Sequence, residues 1–238
     1  MSRDQIIGRV REALSVKTDS HVREVVQKTP HSLPVLPNGP AGKSTAVRQF
    51  LPFVGESFDD HKHAFATLSE KLQTEFICVE RPEAAEQELK RLVERNGWKR
   101  AGVHELPLVQ RLTQNLELEF LNTSQSYDVR DLEQCDVGIS GCDALIAQTA
   151  SALVTNQSAG GRALSVLPPH HVVLATADQM VTTMADGFEV VRSKYEDHLP
   201  SFVSFITGPS RTADIERVLV LGAHGPKKLT VILIEAQD

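Results

Sequence analysis

The sequence predicts a three-layer α/β fold built on an open, mostly parallel β-sheet. From Phe76 onward, short apolar segments of strand length alternate with amphipathic segments of helical length, which is the pattern of repeated strand–helix units. The final apolar segment, residues 229–234, is apolar at nearly every position and does not alternate. Both faces of this strand are therefore expected to be buried, as in a parallel sheet with helices on each side.

The first 57 residues are predicted to form an N-terminal extension, and residues 58–238 the α/β domain. Apolar residues at helical spacing indicate a helix over residues 3–15. Residues 28–57 then carry five prolines, too many for a long helix or a central strand, and are interpreted as an extended arm. Such an arm either packs on a second subunit, giving a homo-oligomer, or acts as a flexible linker.

Periodicity and turn residues predict the elements of the domain in order. Pro82 suits the first turn of a helix and Gly97 its end, which bounds one helix clearly. The predicted helices cover residues 60–74, 82–96, 178–183 and 188–195. The predicted strands cover residues 76–79, 101–104, 116–121, 144–147, 152–155, 172–175, 202–206 and 229–234. The glycine-bounded segment 138–141 is interpreted as a tight turn.

Charge and hydropathy exclude several functional classes. The net charge is −6 and the Lys and Arg residues are scattered, so nucleic acid and anionic membrane surfaces are not expected partners. No apolar run approaches the roughly 20 residues of a membrane span, and the start lacks the apolar core of a signal peptide. A cytoplasmic location is therefore expected.

The cysteines bear on redox chemistry. Cys78, Cys135 and Cys142 include no C-x-x-C pair, and three thiolates cannot complete a four-cysteine iron–sulfur cluster. No metal site and no cofactor are expected in this chain alone. If the protein takes part in electron transfer, the redox centre is expected on another polypeptide.

Two short motifs partly resemble known functional motifs. Residues 42–45, G-K-S-T, resemble the end of a phosphate-binding P-loop, but the motif's first glycine is replaced by Pro37 and no buried strand precedes it. Residues 59–63, D-D-H-K-H, contain metal-ligand types at a predicted helix start. Acidic capping of that helix explains the two aspartates more simply.

Four ordered segments are more specific. They are V-G-I-S-G-C-D-A-L-I-A-Q-T-A at 137–150, G-R-A-L-S-V-L-P-P-H-H at 161–171, G-P-S-R-T-A-D-I-E at 208–216 and L-G-A-H-G-P at 221–226. Together they resemble the lactate-utilisation protein C (LutC) family, whose members contain a LUD domain. The resemblance covers the chain from end to end and is strongest from about residue 137 to residue 234.

The resemblance implies a NagB/RpiA/CoA-transferase-like fold. It also implies a role in oxidising L-lactate to pyruvate, together with partner subunits of the same system that carry iron–sulfur clusters. The sequence departs from the family pattern at two positions, where Gln148 replaces a glutamate and Ala150 replaces a glycine. An amide cannot form the acyl anhydride of covalent CoA transfer, so Gln148 argues against that chemistry.

The candidate site is the loop after predicted strand 202–206, because ligands of open α/β sheets bind at the carboxyl ends of strands. A helix is expected to begin near Thr212, and its N-terminus would attract a carboxylate or phosphate. The proposed ligand-binding residues are Gly208, Ser210, Arg211, Thr212 and the more distant Arg162. The proposed catalytic residues are Asp214, Glu216 and His224.

Structural roles remain open for the same residues. Thr212 can cap the helix, the two acids can relieve its dipole, and His224 can bond to a turn. The leading functional hypothesis is a cluster-free subunit of a lactate-oxidising system that binds a small carboxylate. The alternative is a stand-alone enzyme or binding module for a phosphorylated or CoA-linked small molecule.

Overall fold

The computed structural model describes residues 51–196, 198–212, 220–221 and 225–236. The predicted helix at 3–15, the arm up to residue 50 and the P-loop-like segment at 42–45 lie outside the described residues. The same holds for Asp214, Glu216 and His224. Within the described ranges, no helix is long and apolar enough to cross a lipid bilayer.

A six-stranded sheet forms the centre of the domain. Its strands are β1 (Glu75–Val79), β2 (Arg100–Val103), β3 (Glu119–Asn122), β4 (Val137–Ser140), β7 (His170–Thr176) and β12 (Lys228–Ile234). They lie in the order β1-β12-β7-β4-β2-β3, and every neighbouring pair is parallel. The predicted parallel α/β architecture is therefore confirmed. As expected from its sequence, β12 is buried at every position after Lys228.

Helix α2 (Pro82–Asn96) has the predicted bounds, whereas α1 (Phe58–Leu72) begins and ends two residues before the predicted range of 60–74. Ser57 caps α1 in a reciprocal capping box with Asp60, which confirms acidic capping at this position. Pro82 opens α2, and Gly97 ends it with a φ of 65°. Two short helices, α3 (Pro107–Thr113) and α4 (Val129–Glu133), were not predicted.

One face of the parallel sheet is covered by α2 and α3. Leu89 and Leu92 of α2 and Leu112 of α3 pack against strand residues such as Ile139 and Ile232. All five side chains are at most 2% exposed. Each contributes about 1.5–3 kcal/mol by leaving water, so this face is a main source of stability.

The opposite face is covered by α1, α4 and a second sheet. Phe65 of α1 packs with Val173 and Val231 of the parallel sheet and with Leu145 of the second sheet. Gly138 lies deep in β4, where an added Cβ would come within 2.4 Å of the Leu164 carbonyl oxygen. A side chain at this position would therefore separate the sheet from the segment that covers it.

The second sheet has four strands in the order β8-β5-β6-β9. They are β5 (Ala144–Ile146), β6 (Ser151–Thr155), β8 (Met180–Val181) and β9 (Val203–Ile206). β5 and β6 form an antiparallel hairpin, and β9 is antiparallel to β6. Helix α5 (Met184–Lys194) packs on its outer side through Val191. Strands β10 (Arg211–Thr212) and β11 (Val220–Leu221) pair with each other in a separate two-stranded antiparallel sheet.

Two local predictions are wrong. Residues 178–183 are not a helix, because Ala177–Gln179 form a single 3-10 turn and Met180–Val181 form β8, which pairs with β5. The N-cap of this turn is Thr176. The segment predicted as a tight turn at 138–141 is mostly strand β4, buried at all four positions. In both places pairing with a distant strand decides the conformation, which local periodicity does not report.

Candidate functional site

The loop predicted to hold the ligand lies at the amino edge of the parallel sheet. The strand before it, β9, belongs to the antiparallel second sheet, so its carboxyl end does not coincide with the carboxyl ends of the parallel strands. Gly208 lies beside Thr74, the residue before β1. The expectation of a site at the carboxyl edge is therefore wrong for this loop.

Three of the four sequence motifs meet at this edge. The Ser210 N–H donates to the Pro226 carbonyl at 2.9 Å, which joins the G-P-S-R segment to the segment before β12. The Lys227 and Lys228 N–H groups donate to the Pro169 carbonyl at 2.8 and 3.2 Å, which joins that segment to the start of β7. The first bond joins residues 16 positions apart in sequence, and the other two join residues 58 and 59 positions apart.

Gly208 has a backbone reason to be glycine. Its φ is 91°, and a Cβ there would lie 3.2 Å from the Leu72 carbonyl oxygen at the end of α1. A residue with a side chain would be strained in this conformation. The glycine therefore allows the loop to pass close to the end of α1.

Arg211 and Thr212 lie in β10, so no helix begins at Thr212. The expected helix-terminus site is wrong at this position, because the backbone pairs with Val220–Leu221. The Arg211 guanidinium donates to the Leu72 carbonyl and closes the C-terminal end of α1. Its side chain is exposed, so this contact leaves other N–H groups of the fork facing solvent.

Arg162 lies elsewhere. Its guanidinium donates to the Ser201 carbonyl at 2.8 Å, before β9, whereas Gly208 follows β9. The six residues between Ser201 and Gly208 span roughly 20 Å when extended. The structure does not bring Arg162 together with the Gly208–Arg211 loop.

A groove of about 360 Å³ opens beside the motif loops. Its polar lining includes Glu75, Arg95, His170, Lys228 and Thr230, and Pro209 forms part of its rim. These residues come from the starts of β1, β7 and β12 and from the end of α2. None of these five residues was predicted from the sequence to belong to a site, although polar residues at the starts of parallel strands share one edge of a sheet.

A chain of hydrogen bonds runs through this lining. Arg95 binds Glu75 through two bonds of 2.8 and 2.7 Å, Glu75 accepts from the Thr230 hydroxyl at 3.0 Å, and Thr230 pairs with His170 Nε2 at 2.8 Å. The Arg95 bonds lower the pKa of Glu75. Burial, with repulsion from nearby Lys228, lowers the pKa of His170 to about 4. Glu75 is therefore ionised and His170 neutral at physiological pH.

His170 and His171 are both buried, as packing residues are. The Trp98 ring contacts the His170 ring edge-on at 5.0 Å, and His171 Nε2 lies 2.8 Å from the Ser140 hydroxyl. His171 is 0% exposed, and burial lowers its pKa to about 3. These contacts give both histidines a packing role in the core.

A second polar cluster, absent from the sequence-based selection, lies near the carboxyl end of β4. The Asp143 carboxylate accepts from the Ser158 hydroxyl at 2.6 Å and from Lys194 Nζ and the Tyr195 hydroxyl at 2.7 Å each. Burial raises the pKa of Asp143, but these donors outweigh it and the net pKa is lowered. All three donors use the carboxylate, so the cluster joins β5 to α5 and leaves little capacity for a ligand.

The two departures from the family pattern lie at the tip of the β5–β6 hairpin. Gln148 Nε2 donates to the Pro52 carbonyl at 3.1 Å, a bond that a glutamate cannot make. The bond helps to place residues 51–56, where Val54 is buried and Phe53 is 95% exposed. Ala150 has a φ of 49°, so the family's glycine at this position is explained by left-handed backbone, at a cost to alanine of about 1 kcal/mol.

The cysteines are not prepared to ligate a metal. Burial and the Glu235 carboxylate raise the pKa of Cys78 to about 12, and burial also raises the pKa of Cys135 and Cys142. The last two lie at opposite ends of β4, too far apart to share a metal ion. Among the described residues, no group of three or more His, Cys, Asp or Glu side chains is arranged to hold a metal ion.

Fold and site together define a class: three-layer α/β proteins with a parallel sheet, an accessory antiparallel sheet and motif loops gathered at one edge. A crystal structure of a DUF162 family protein from Deinococcus radiodurans has this fold, with a TM-score of 0.60 and 20% sequence identity over 76% of this chain and 99% of that one. The LUD domain family model matches residues 63–234. The chain belongs to the LUD domain family.

Relatives with curated names fit this assignment. Lactate utilization protein C of Geobacillus sp. (strain WCH70) is 30% identical over 78% of this chain and 83% of its own length. The protein of the same name from Anoxybacillus flavithermus is 36% identical over 45% of this chain. In that match and the one to Oceanobacillus iheyensis, the chain spans about half the length of the relative, 47% and 45% respectively.

Proposed function

We propose that this protein acts in lactate utilisation, as a subunit without its own iron–sulfur cluster. The observation that carries the proposal is the similarity to lactate utilization protein C of Geobacillus over most of both chains. The meeting of three motif segments at one edge of the sheet supports it, because residues far apart in sequence form one surface there. The proposed reaction of the whole system is the oxidation of L-lactate to pyruvate.

That reaction releases two electrons and two protons, and the electrons need an acceptor. The thiols of this chain do not supply one, since their raised pKa values keep them protonated and Cys135 and Cys142 lie at opposite ends of a strand. We therefore place the iron–sulfur clusters on partner proteins. The Gly208–Thr212 loop, with Asp214, Glu216 and His224, is proposed to contact a small carboxylate.

The partner is tested by co-purification. We expect the tagged full-length protein, expressed at its native level in cells grown on L-lactate, to capture a protein with bound iron and sulfide and the visible absorbance of a cluster. The untagged strain is the control. Capture of no iron–sulfur protein under these conditions contradicts the subunit role.

The loop is tested by growth. We expect a strain that carries Arg211→Ala to grow more slowly on L-lactate but normally on pyruvate, because pyruvate is the product of the proposed reaction. Loss of the bond to the Leu72 carbonyl costs on the order of 1 kcal/mol, too little to unfold a domain. The measurement is the growth rate on each carbon source.

Arg192→Ala is the matched control, because Arg192 is exposed and, in the part of the chain that the structure describes, forms an ion pair with Glu189 one turn away on the same helix. Its strain should grow like the parent. Normal growth of the Arg211→Ala strain on L-lactate, with the protein present at its usual level, excludes a role for Arg211. Normal growth of a deletion strain excludes the lactate role altogether.

A further inference from the structure

The groove at the amino edge has a charge that differs from that of the whole chain. Arg95, Lys227 and Lys228 line it together with one acid, Glu75. Glu75 is already bound to Arg95 through both carboxylate oxygens. The two lysines are therefore not neutralised within the groove, although the chain as a whole carries a net charge of −6.

Hydrogen bonds hold the backbone of both lysines in place beside the groove. Lys227 and Lys228 both donate their N–H groups to the Pro169 carbonyl, and Lys228 is in register with His170 at the start of neighbouring strands. The Lys228 ammonium bonds to the side-chain oxygen of Asn96, an uncharged acceptor, at 3.1 Å. One lysine is thus oriented by a neutral partner, and among the described residues neither ammonium group is paired with a carboxylate.

The floor of the groove is polar and rigid. Thr230 and His170 are buried and held by Glu75, which is itself held by Arg95. His170 Nδ1 is a buried nitrogen with no hydrogen-bond partner among the described residues. A floor that is fixed before a ligand arrives lowers the entropy lost on binding.

We propose that this groove is a binding site for an organic anion that carries a phosphate or carboxylate group, which Lys227 and Lys228 bind. Both groups offer several oxygen acceptors to the two ammonium ions. The volume of about 360 Å³ accommodates a molecule larger than a three-carbon acid. This proposal rests on the geometry of the groove and not on the role in lactate utilisation. Either proposal can therefore be wrong while the other is correct.

The site is tested by thermal unfolding of the full-length protein at constant ionic strength. The probes are inorganic phosphate, glucose 6-phosphate, L-lactate and pyruvate, with chloride as the reference salt. We expect at least one probe to raise Tm in a saturable way. A response to the first two identifies a phosphate site, and a response to the last two identifies a carboxylate site.

The double variant Lys227→Ala/Lys228→Ala should bind the responding probe at least about tenfold more weakly. The charge-matched control is Lys90→Ala/Lys99→Ala, which removes two exposed lysines outside the groove and should bind as the parent does. No saturable rise with any probe overturns the proposal. An equal rise in the Lys227→Ala/Lys228→Ala variant, or an equal loss in the control, also overturns it.

Discussion

Replacing Asp143 with Ala should lower the free energy of unfolding by about 3–5 kcal/mol, because it removes the acceptor at the centre of a buried polar cluster. The Asp143 side chain is 0% exposed and accepts from Ser158, Lys194 and Tyr195. Without the carboxylate, the Tyr195 hydroxyl keeps only its contact with Thr155, at 3.2 Å. Chemical denaturation followed by fluorescence or circular dichroism measures the loss.

The magnitude follows from which partners can return to water. The Lys194 side chain is 49% exposed, so its ammonium can turn outward at little cost. Tyr195 and Ser158 are buried and cannot; each hydroxyl keeps its contact with Thr155 but loses its carboxylate acceptor, at a cost of about 1–3 kcal/mol each. The cavity left by the carboxylate adds to this cost.

Glu189→Ala is the control for this variant. It removes a carboxylate that forms an ion pair with Arg192 one turn further along α5. The Glu189 side chain is 62% exposed and the Arg192 side chain 77%. Such a pair contributes less than about 1 kcal/mol. If Asp143→Ala cost no more than Glu189→Ala, the cluster would not be what joins α5 to β5.

Acid should destabilise the protein well before its carboxylates are protonated. Folded His170 and His171 have pKa values of about 4 and about 3, whereas unfolded histidine has a pKa near 6.5. Both rings are neutral in the folded protein, so unfolding below pH 6.5 takes up two protons and stability falls as pH falls. Each ring contributes a loss that approaches about 1.4 kcal/mol per pH unit below pH 6.5, or about 3 kcal/mol for both between pH 6.5 and 5.

The measurement is the free energy of unfolding at several pH values within that window. Glu75 and Asp143 have lowered pKa values, so their contributions are lost mostly at lower pH. His171→Asn should reduce the slope by roughly a third to a half, because asparagine does not titrate and burial also lowers the pKa of a third histidine, His104. His198→Asn, a change at an exposed histidine, should keep the parental slope. A flat profile from pH 6.5 to 5 would mean that the buried rings are protonated in the folded state.

Much of the fold was predictable because its strands are buried on both faces. Runs such as 229–234 have no polar face to present to water, and only a central parallel strand satisfies that pattern. Both ends of helix α2 were predicted, because Pro82 starts the helix and Gly97 ends it through their own backbone conformations. Segment 178–183 was not, because β8 exists only through its pairing with β5.

The site was predictable only in part. The motifs indicated that residues 208–211 belong to a shared surface, and three motif segments do meet. The edge on which they meet depends on whether β9 joins the parallel or the antiparallel sheet. A short apolar strand fits either kind of sheet, so the sequence pattern does not decide between them. Lys227 and Lys228 gave no signal as a site, since two lysines before a strand are usually solvated surface residues.

The position of β12 between β1 and β7 has a consequence for how the chain folds during synthesis. Glu75 and Thr230, partners across β1 and β12, are 155 residues apart in sequence. The ribosome has to translate nearly the whole domain before β1 acquires a neighbour. β1 therefore lacks its sheet neighbour for most of translation, and contacts between residues so far apart in sequence form slowly.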